Sequence, residues 1–386
     1  VNQVKVNRKA EKRFESGHPW VYSSDVIDAA GAAPGDAVRV VNEKGRFLGI
    51  AHYSSTSQIR LRLLAREDRP VDRAFFLERL RAAIEFRRRA VRDSDACRLV
   101  HAEADLLPGL IVDQYGPHLA AQFLDQGMDR AAPLIADCLR ELLNPASILA
   151  RNDVPVRCLE QLPLEPAALH GEPPARVEIR MNGLALAVDL RHGQKTGAFL
   201  DQRENYVAAA RWARGRGLDL FTCHGGFALH AARSCESIEA VDSSAAALEL
   251  ARENARLNAM ENIVWREANA FDYLSGLAAA RRQFDWVVLD PPAFAKSRSS
   301  LEAAYRGYRE LNYKALKVLA PDGVLVTCSC SHHVSEADLL EIVASAALDA
   351  RRTLRVLERR TQAVDHPILL TVPETHYLKC LILQAL

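Results

Sequence analysis

Between residues 217 and 328, five short apolar runs, GLDLF, IEAVD, IVWRE, WVVLD and GVLVTC, alternate with stretches such as SAAALELARENARLN, whose apolar residues recur at helical spacing. Strands buried on both faces read as continuous apolar runs, and parallel neighbours must be joined by crossover helices. The alternation therefore predicts an α/β architecture with a mainly parallel sheet covered on both faces. A chain of 386 residues has room for two or three domains. Over 1–70, AVRVV, RFLGIAHY and SQIRLRLL are short strands parted by turn residues and predict a small β-barrel or curled sheet. A helical pattern over 72–92 opens a second small α/β unit, 71–175, which ends in a Pro-rich linker over 155–174. The third unit, 176–386, opens with a hairpin turning at Asn182-Gly183 and closes with PILLTV and HYLKCLIL, expected as an antiparallel pair at the sheet edge.

Composition narrows the classes further. With 49% hydrophobic and 26% charged residues the chain is an ordinary globular one. Apolar stretches such as Trp286 to Leu289 fall far short of the roughly 18 to 20 residues that span a bilayer, and Val1 to Glu15 lacks the apolar core of a secretory signal. A cytoplasmic protein without a membrane partner is expected. The eight cysteines form no CxxC pair and there is no HExxH, so no metal site is expected and most thiols should be free. Residues 1–100 hold 20 Lys and Arg against 13 Asp and Glu, a net of +7 within a chain whose total is +1. Such a basic quarter is either a polyanion-facing surface or a solvated face.

In a doubly wound sheet, ligands bind beyond the carboxyl ends of the strands. The first such end reads DLFTCHGGF, where Gly225-Gly226 permits close backbone approach. It is not GxGxxG, the fingerprint that cradles a pyrophosphate, so a ligand without phosphate, such as S-adenosylmethionine, fits better than NAD or FAD. Asp242 ends the second run at a spacing suited either to ribose hydroxyls or to capping the next helix. Asn269, after the third, either meets an adenine edge or caps a helix. The fourth ends Asp290-Pro291-Pro292-Ala293-Phe294, a rigid turn that fixes a carboxylate beside an aromatic ring. The fifth ends TCSCSHH, with Cys328 and Cys330 on one side of an extended segment.

These segments together resemble the bacterial large-subunit ribosomal RNA cytosine-5 methyltransferases. The pieces that carry the resemblance are GHPWVYSSDV, VHAEADLLPGLIVDQYG, QKTGAFLDQREN, DLFTCHGGFALHAA, VVLDPPAFAKS and TCSCSHHV, in that order along the whole chain. The resemblance implies a PUA-like RNA-binding domain, a middle α/β domain and a C-terminal class I, Rossmann-like methyltransferase domain. It implies that Lys195, Thr196, Gly197, Phe199 and Gln202 line the S-adenosylmethionine pocket, with Asp219, Phe221, Gly225, Asp242, Asn269 and Asp290 completing it. Asn269 departs from the family, which often has an acid there. Cytosine carbon 5 is a poor nucleophile, so a thiolate must first add to carbon 6. Cys330 matches the family nucleophile, Asp290 would stabilise charge at the ring nitrogen, and Glu374 in PETHYLK is the candidate base for the carbon 5 proton. Ribosomal RNA is the implied partner, Arg13, His18, Trp20 and the Arg87-Arg88-Arg89 run are candidate contacts, and Phe294 is placed to stack on a flipped base.

Other readings stay open at this level: methylation of a base nitrogen on the same fold, with Cys330 merely structural, or an RNA-binding protein that retains S-adenosylmethionine without turnover. The sequence allows a homodimer and does not specify the target nucleotide.

Overall fold

The computed structural model describes residues 2–29, 31–294 and 301–386. Ala295, Lys296 and Ser297 of the VVLDPPAFAKS segment lie outside them. The chain divides into two compact units: Val1–Arg180 with Val188–Leu200 and Val364–Thr375, and Met181–Ala187 with Asp201–Ala363 and His376–Leu386. The division passes through the expected hairpin, Arg176–Met181 and Leu184–Asp189, whose turn residues Asn182 and Gly183 both have positive φ, 54° and 77°.

The first unit holds two sheets. Six strands run in the order Trp20–Tyr22, Ile59–Ala65, Phe47–Tyr53, Ala37–Val41, Gln3–Val6 and Val26–Asp28. Five more run Ala167–His170, Ser147–Ala150, His118–Phe123, Leu110–Tyr115 and Ala96–His101, beside helices Arg73–Ala90 and Gln126–Leu143. Both helices start where an aspartate, Asp72 or Asp125, accepts a backbone N–H at its N-cap. The sequence pattern separates these sheets at residue 70, yet Ile50, Leu64 and Ala65 pack in one core with Phe75, Phe76, Leu80, Val112 and Phe123. The expected linker also contributes a strand, Ala167–His170, which completes the edge of the second sheet.

Arg87 is the main correction in this unit. It is 1% exposed, and its guanidinium donates to the carbonyls of Arg98 (2.9 Å) and Asp365 (2.9 Å) and forks onto the Asp105 carboxylate. A guanidinium presents five donors in one plane, and here they tie the helix, a strand and the 364–375 segment together. It is an internal strut, whereas its neighbours Arg88 and Arg89 are exposed.

The second unit is built on helix α1 (Arg203–Ala210), strand β1 (Arg216–Leu220), α2 (Gly226–Ala231), β2 (Ser237–Asp242), α3 (Ala245–Leu257), β3 (Ile263–Glu267), α4 (Ala270–Ala279), β4 (Phe284–Leu289), α5 (Leu301–Val318), β5 (Leu319–Ser329), α6 (Glu336–Ala350), β6 (Leu354–Arg360) and β7 (Lys379–Ala385). The sheet order is β3-β2-β1-β4-β5-β7-β6. Pairing is parallel from β3 to β5, and β7 is antiparallel to both neighbours. Its core joins Leu218, Leu220, Val287, Leu289 and Leu325 to Leu311, Leu339 and Ile342 of the covering helices. The closing pair differs from expectation. PILLTV, 367–372, forms no strand; Pro367 lacks a donor, Leu369 N–H bonds the Thr375 hydroxyl, and Leu370 is 93% exposed. The partner of β7 at the edge is instead LRVLERR, whose charges suit a solvent-facing edge strand. Among the described residues no helix is long and apolar enough to cross a membrane.

Replacing Arg87 with Ala leaves the Asp105 carboxylate, whose side chain is 8% exposed, with only the His101 N–H as partner among the described residues and takes the donor from two carbonyls, which should cost about 3 to 5 kcal/mol. Arg88→Ala should leave the urea midpoint unchanged. Equilibrium unfolding of the two variants checks the difference.

Candidate active site

β1 lies between β2 and β4, so chain connections leave in opposite directions from the carboxyl ends of β1 and β4, and a crevice opens there. Asp290 follows β4, and its backbone N–H reaches the Leu220 carbonyl at the end of β1 (3.4 Å). The loop after β1 is tightly wound: Phe221, Cys223 and Gly225 all have positive φ, at 62°, 51° and 89°. Two carboxylates pin it. Asp219 Oδ2 accepts from Thr222 Oγ1 (2.6 Å) and from the Ala228 backbone N–H (3.0 Å), while Asp242 Oδ2 accepts from the Cys223 backbone N–H (2.9 Å). Asp242 Oδ1 accepts from Ser244 N–H, and Ser244 itself caps α3, so Asp242 supports both the loop and the helix entry.

The two glycines also make room for side chains. A Cβ at Gly226 would meet the Tyr206 ring at 2.3 Å, and one at Gly225 would meet Trp265 at 2.9 Å. Both positions are open to accommodate aromatic rings, and Gly225 also takes the left-handed φ that starts α2.

Asp219 is fully buried, and its Oδ1 has no hydrogen-bond partner among the described residues. Burial first, and then the nearby Asp290 and Asp242 charges, push the carboxyl up to about 7, against the pull of the Thr222 and Ala228 hydrogen bonds. Burial and the same three carboxylates push the Cys223 thiol up to about 12. Three mutually repelling acids around one crevice suit a ligand that brings positive charge and a donor for Oδ1. The ammonium and sulfonium of S-adenosylmethionine have that chemistry. Asn269 caps α4, its side-chain oxygen accepting from Phe271 N–H (2.9 Å) and Asp272 N–H (3.3 Å). That leaves its amide N–H₂ as the group able to face a base edge.

The two cysteines of the fifth strand end are sharply distinguished. Cys328 is fully buried, sits opposite Cys380 in the β5–β7 ladder, and also hydrogen-bonds the Gln202 side chain. Burial first, and then Cys380, raise its thiol well above the ordinary value. Cys330 is only partly buried, and its Sγ lies 4.0 Å from the Pro291 carbonyl of the Asp290 turn. The residues on either side of Cys330 are held: Ser329 Oγ donates to Tyr308 Oη (3.0 Å), Tyr308 Oη and Ser331 Oγ are 3.0 Å apart, and Lys379 Nζ donates to the Ser331 carbonyl (2.7 Å). Lys379 escaped the sequence reading. Its signal, a lone lysine opening an otherwise apolar strand, KCLIL, is visible only afterwards. Phe294 packs against Tyr308 with centroids 4.6 Å apart.

The remaining expected residues divide between the two units. Gln202 belongs to the second unit, buried and accepting from Asn205 Nδ2 (2.7 Å). Lys195, Thr196, Gly197 and Phe199 belong to the first. Thr196 is fully buried there and donates to Asp113 Oδ2 (2.5 Å), beside Tyr115 Oη (2.9 Å). A Cβ at Gly197 would strike Val188 at 2.7 Å, and Lys195 Nζ sits 4.7 Å from the Phe199 ring centroid. Glu374 also belongs to the first unit, in the short turn Pro373–Thr375. The strand that returns to β5 begins only at Lys379, and the half-exposed Glu374 carboxylate pairs with His18 Nε2 (3.3 Å). Trp20 Nε1 donates to Glu103 (2.9 Å), and Arg13 pairs with Asp25 (3.3 Å) over the Tyr22 ring.

Residues 4–66 match the PUA-like domain family, and residues 164–382 match the S-adenosylmethionine-dependent methyltransferase family. S-adenosylmethionine is accordingly the cofactor. The crystal structure of "SMU.776, a putative methyltransferase complexed with SAH" superimposes with a TM-score of 0.86, 19% identity and full coverage of both chains, a likeness of fold. "Ribosomal RNA large subunit methyltransferase I" of Tolumonas auensis is 39% identical over 394 residues, covering 99% of each chain, and that of Shewanella amazonensis is 40% identical over 390 residues, covering 98% of each. With such identity along its whole length, a PUA-like domain and a methyltransferase domain, the chain belongs to the ribosomal RNA large subunit methyltransferase I family.

Proposed function

We propose that the protein methylates carbon 5 of a cytosine in large-subunit ribosomal RNA through a covalent Cys330 adduct. The observation that carries the reading is the contrast between two cysteines two residues apart. Cys328 is sealed in the sheet with its thiol held protonated, whereas Cys330 stands at the crevice against the Asp290 turn. A nucleophile needs access and a thiolate, and only Cys330 has the access.

In this reading Asp219, Asp242, Phe221, Gly225 and Asn269 hold the cofactor, which supplies an electrophilic methyl group when bound. The Cys330 thiolate adds to carbon 6 of the flipped cytosine, forming the S–C6 bond and moving the ring electrons toward carbon 5 and N3. Asp290, as the carboxylic acid, donates its proton or a hydrogen bond to N3, where negative charge develops, and takes the proton back when the adduct breaks down. Carbon 5 then takes the methyl group, a base removes the carbon 5 proton, and the S–C6 bond breaks to restore the aromatic ring and the thiolate. Glu374 is the candidate base. If it serves, Glu374→Gln should accumulate an RNA–protein adduct on a denaturing gel, and wild-type turnover without accumulation would move the role to another residue. The family's large-subunit RNA substrate and the net charge of +7 over residues 1–100 support the choice of substrate.

With radiolabelled methyl donor and unmodified bacterial large-subunit RNA, nucleoside analysis should return 5-methylcytidine for wild type and none for Cys330→Ala. Label in another nucleoside that survives the substitution would overturn the covalent reading while leaving fold and cofactor intact.

Asp219 adds a pH signature. Its folded-state carboxyl titrates near 7, above the unfolded value, so the free protein should lose stability as pH rises from about 4 to 7. A cationic ligand favours the ionised form. S-adenosylmethionine, whose sulfonium is cationic, should therefore bind about tenfold more tightly at pH 8 than at pH 6, measured by calorimetry, and Asp219→Asn should flatten that dependence.

A further inference from the structure

A buried ammonium is costly unless something nearby compensates it. Lys379 is 2% exposed, and its Nζ donates to two neutral acceptors, the carbonyls of Ser331 (2.7 Å) and Tyr377 (2.8 Å). Ser329 is its partner in the β5–β7 ladder. The lysine is thus tied to the residue before Cys330 by strand register and to the residue after it by a hydrogen bond. Such an arrangement serves no purpose in packing alone, because a Leu or Met would fill the strand position without the desolvation cost.

We infer that Lys379 is the counter-ion of Cys330, a positioning residue whose ammonium holds the thiol as thiolate for addition to carbon 6. The inference rests on the covalent reading given above. The thiol proton leaves to solvent and the ammonium keeps its own three, so no proton passes within the pair. Titratable groups near the two come from Lys379 on β7, Tyr308 on α5, Asp290 at the end of β4, Asp338 at the start of α6 and His332 in the Cys330 loop, whose ring lies 5.6 Å from that of Tyr377. Asp338 is spent in the capping box with Ser335. Tyr308 is held neutral chiefly by burial, and its hydroxyl is taken up by the two serines. Lys379 supplies the ammonium of this set. Burial lowers its ammonium to about 8, while Cys330 and then Asp338 pull it upward, so it remains charged at pH 7.

The test is the pH profile of Cys330 alkylation by iodoacetamide in the full-length protein, read on the Cys330 peptide by mass spectrometry. Wild type should show a midpoint below the roughly 8.5 of an ordinary thiol. Lys379→Met and Lys379→Gln should raise the midpoint by about one unit or more and slow alkylation about tenfold at pH 7, and Lys379→Arg should retain the low midpoint. Binding of S-adenosylhomocysteine reports that each variant is folded. A wild-type midpoint at or above the ordinary value, or one that neither neutral variant moves, would overturn the inference. The assay reads the ion pair and not the reaction, so methyl transfer surviving in Cys330→Ala would sink the covalent reading separately from the thiol–ammonium pair.

Discussion

The parallel pairing of β1 with β4 is the constraint on which the catalytic unit depends. Gly217 to Leu220 align with Trp286 to Leu289, so the β1 loop and the Asp290 turn emerge side by side. Because β5 pairs with β4 in turn, Thr327 is brought level with Leu289, and the chain continues to Cys330 beside Pro291. One ladder thus delivers the carboxylates and the thiol to the same crevice, although they are separated by about a hundred residues of sequence.

That crevice is built against the grain of the rest of the unit. Asp219 is buried with an unused oxygen and a carboxyl pushed to about 7, and Phe221 and Cys223 hold left-handed conformations that cost on the order of 1 to 3 kcal/mol each. The surrounding apolar core keeps this in place, and a cationic ligand relieves the carboxylate repulsion. Strain and unmatched charge concentrate at the carboxyl ends of the strands, as they do at functional sites generally.

Much of the architecture is legible in the residues because it rests on local signals. The strands at Ala37–Val41 and Leu110–Tyr115, the capped helix from Arg73 and the Asn182-Gly183 turn follow from alternation, an N-cap aspartate and two residues that tolerate positive φ. Segments governed by distant partners are not legible. PILLTV looks like a strand but has its backbone bonds met by turns, while the charged LRVLERR becomes one because β7 offers it an edge. Arg87 reads as part of a basic run and is a buried strut, since only the folded chain brings Asp105 and Asp365 to it.

By itself the sequence determined the chemistry available: an α/β unit with acids and paired cysteines at its strand ends, a first strand end without a phosphate loop, and a basic N-terminal quarter. These depend on residue type and short-range spacing, which the chain carries directly. Tertiary structure decided which of those groups can act. It sealed Cys328 against Cys380 and left Cys330 at the crevice, took the Thr196 hydroxyl into the first unit, paired Glu374 with His18, and brought Lys379 to the Cys330 loop. Burial and cross-strand register set those outcomes, and both are properties of partners far away in the chain.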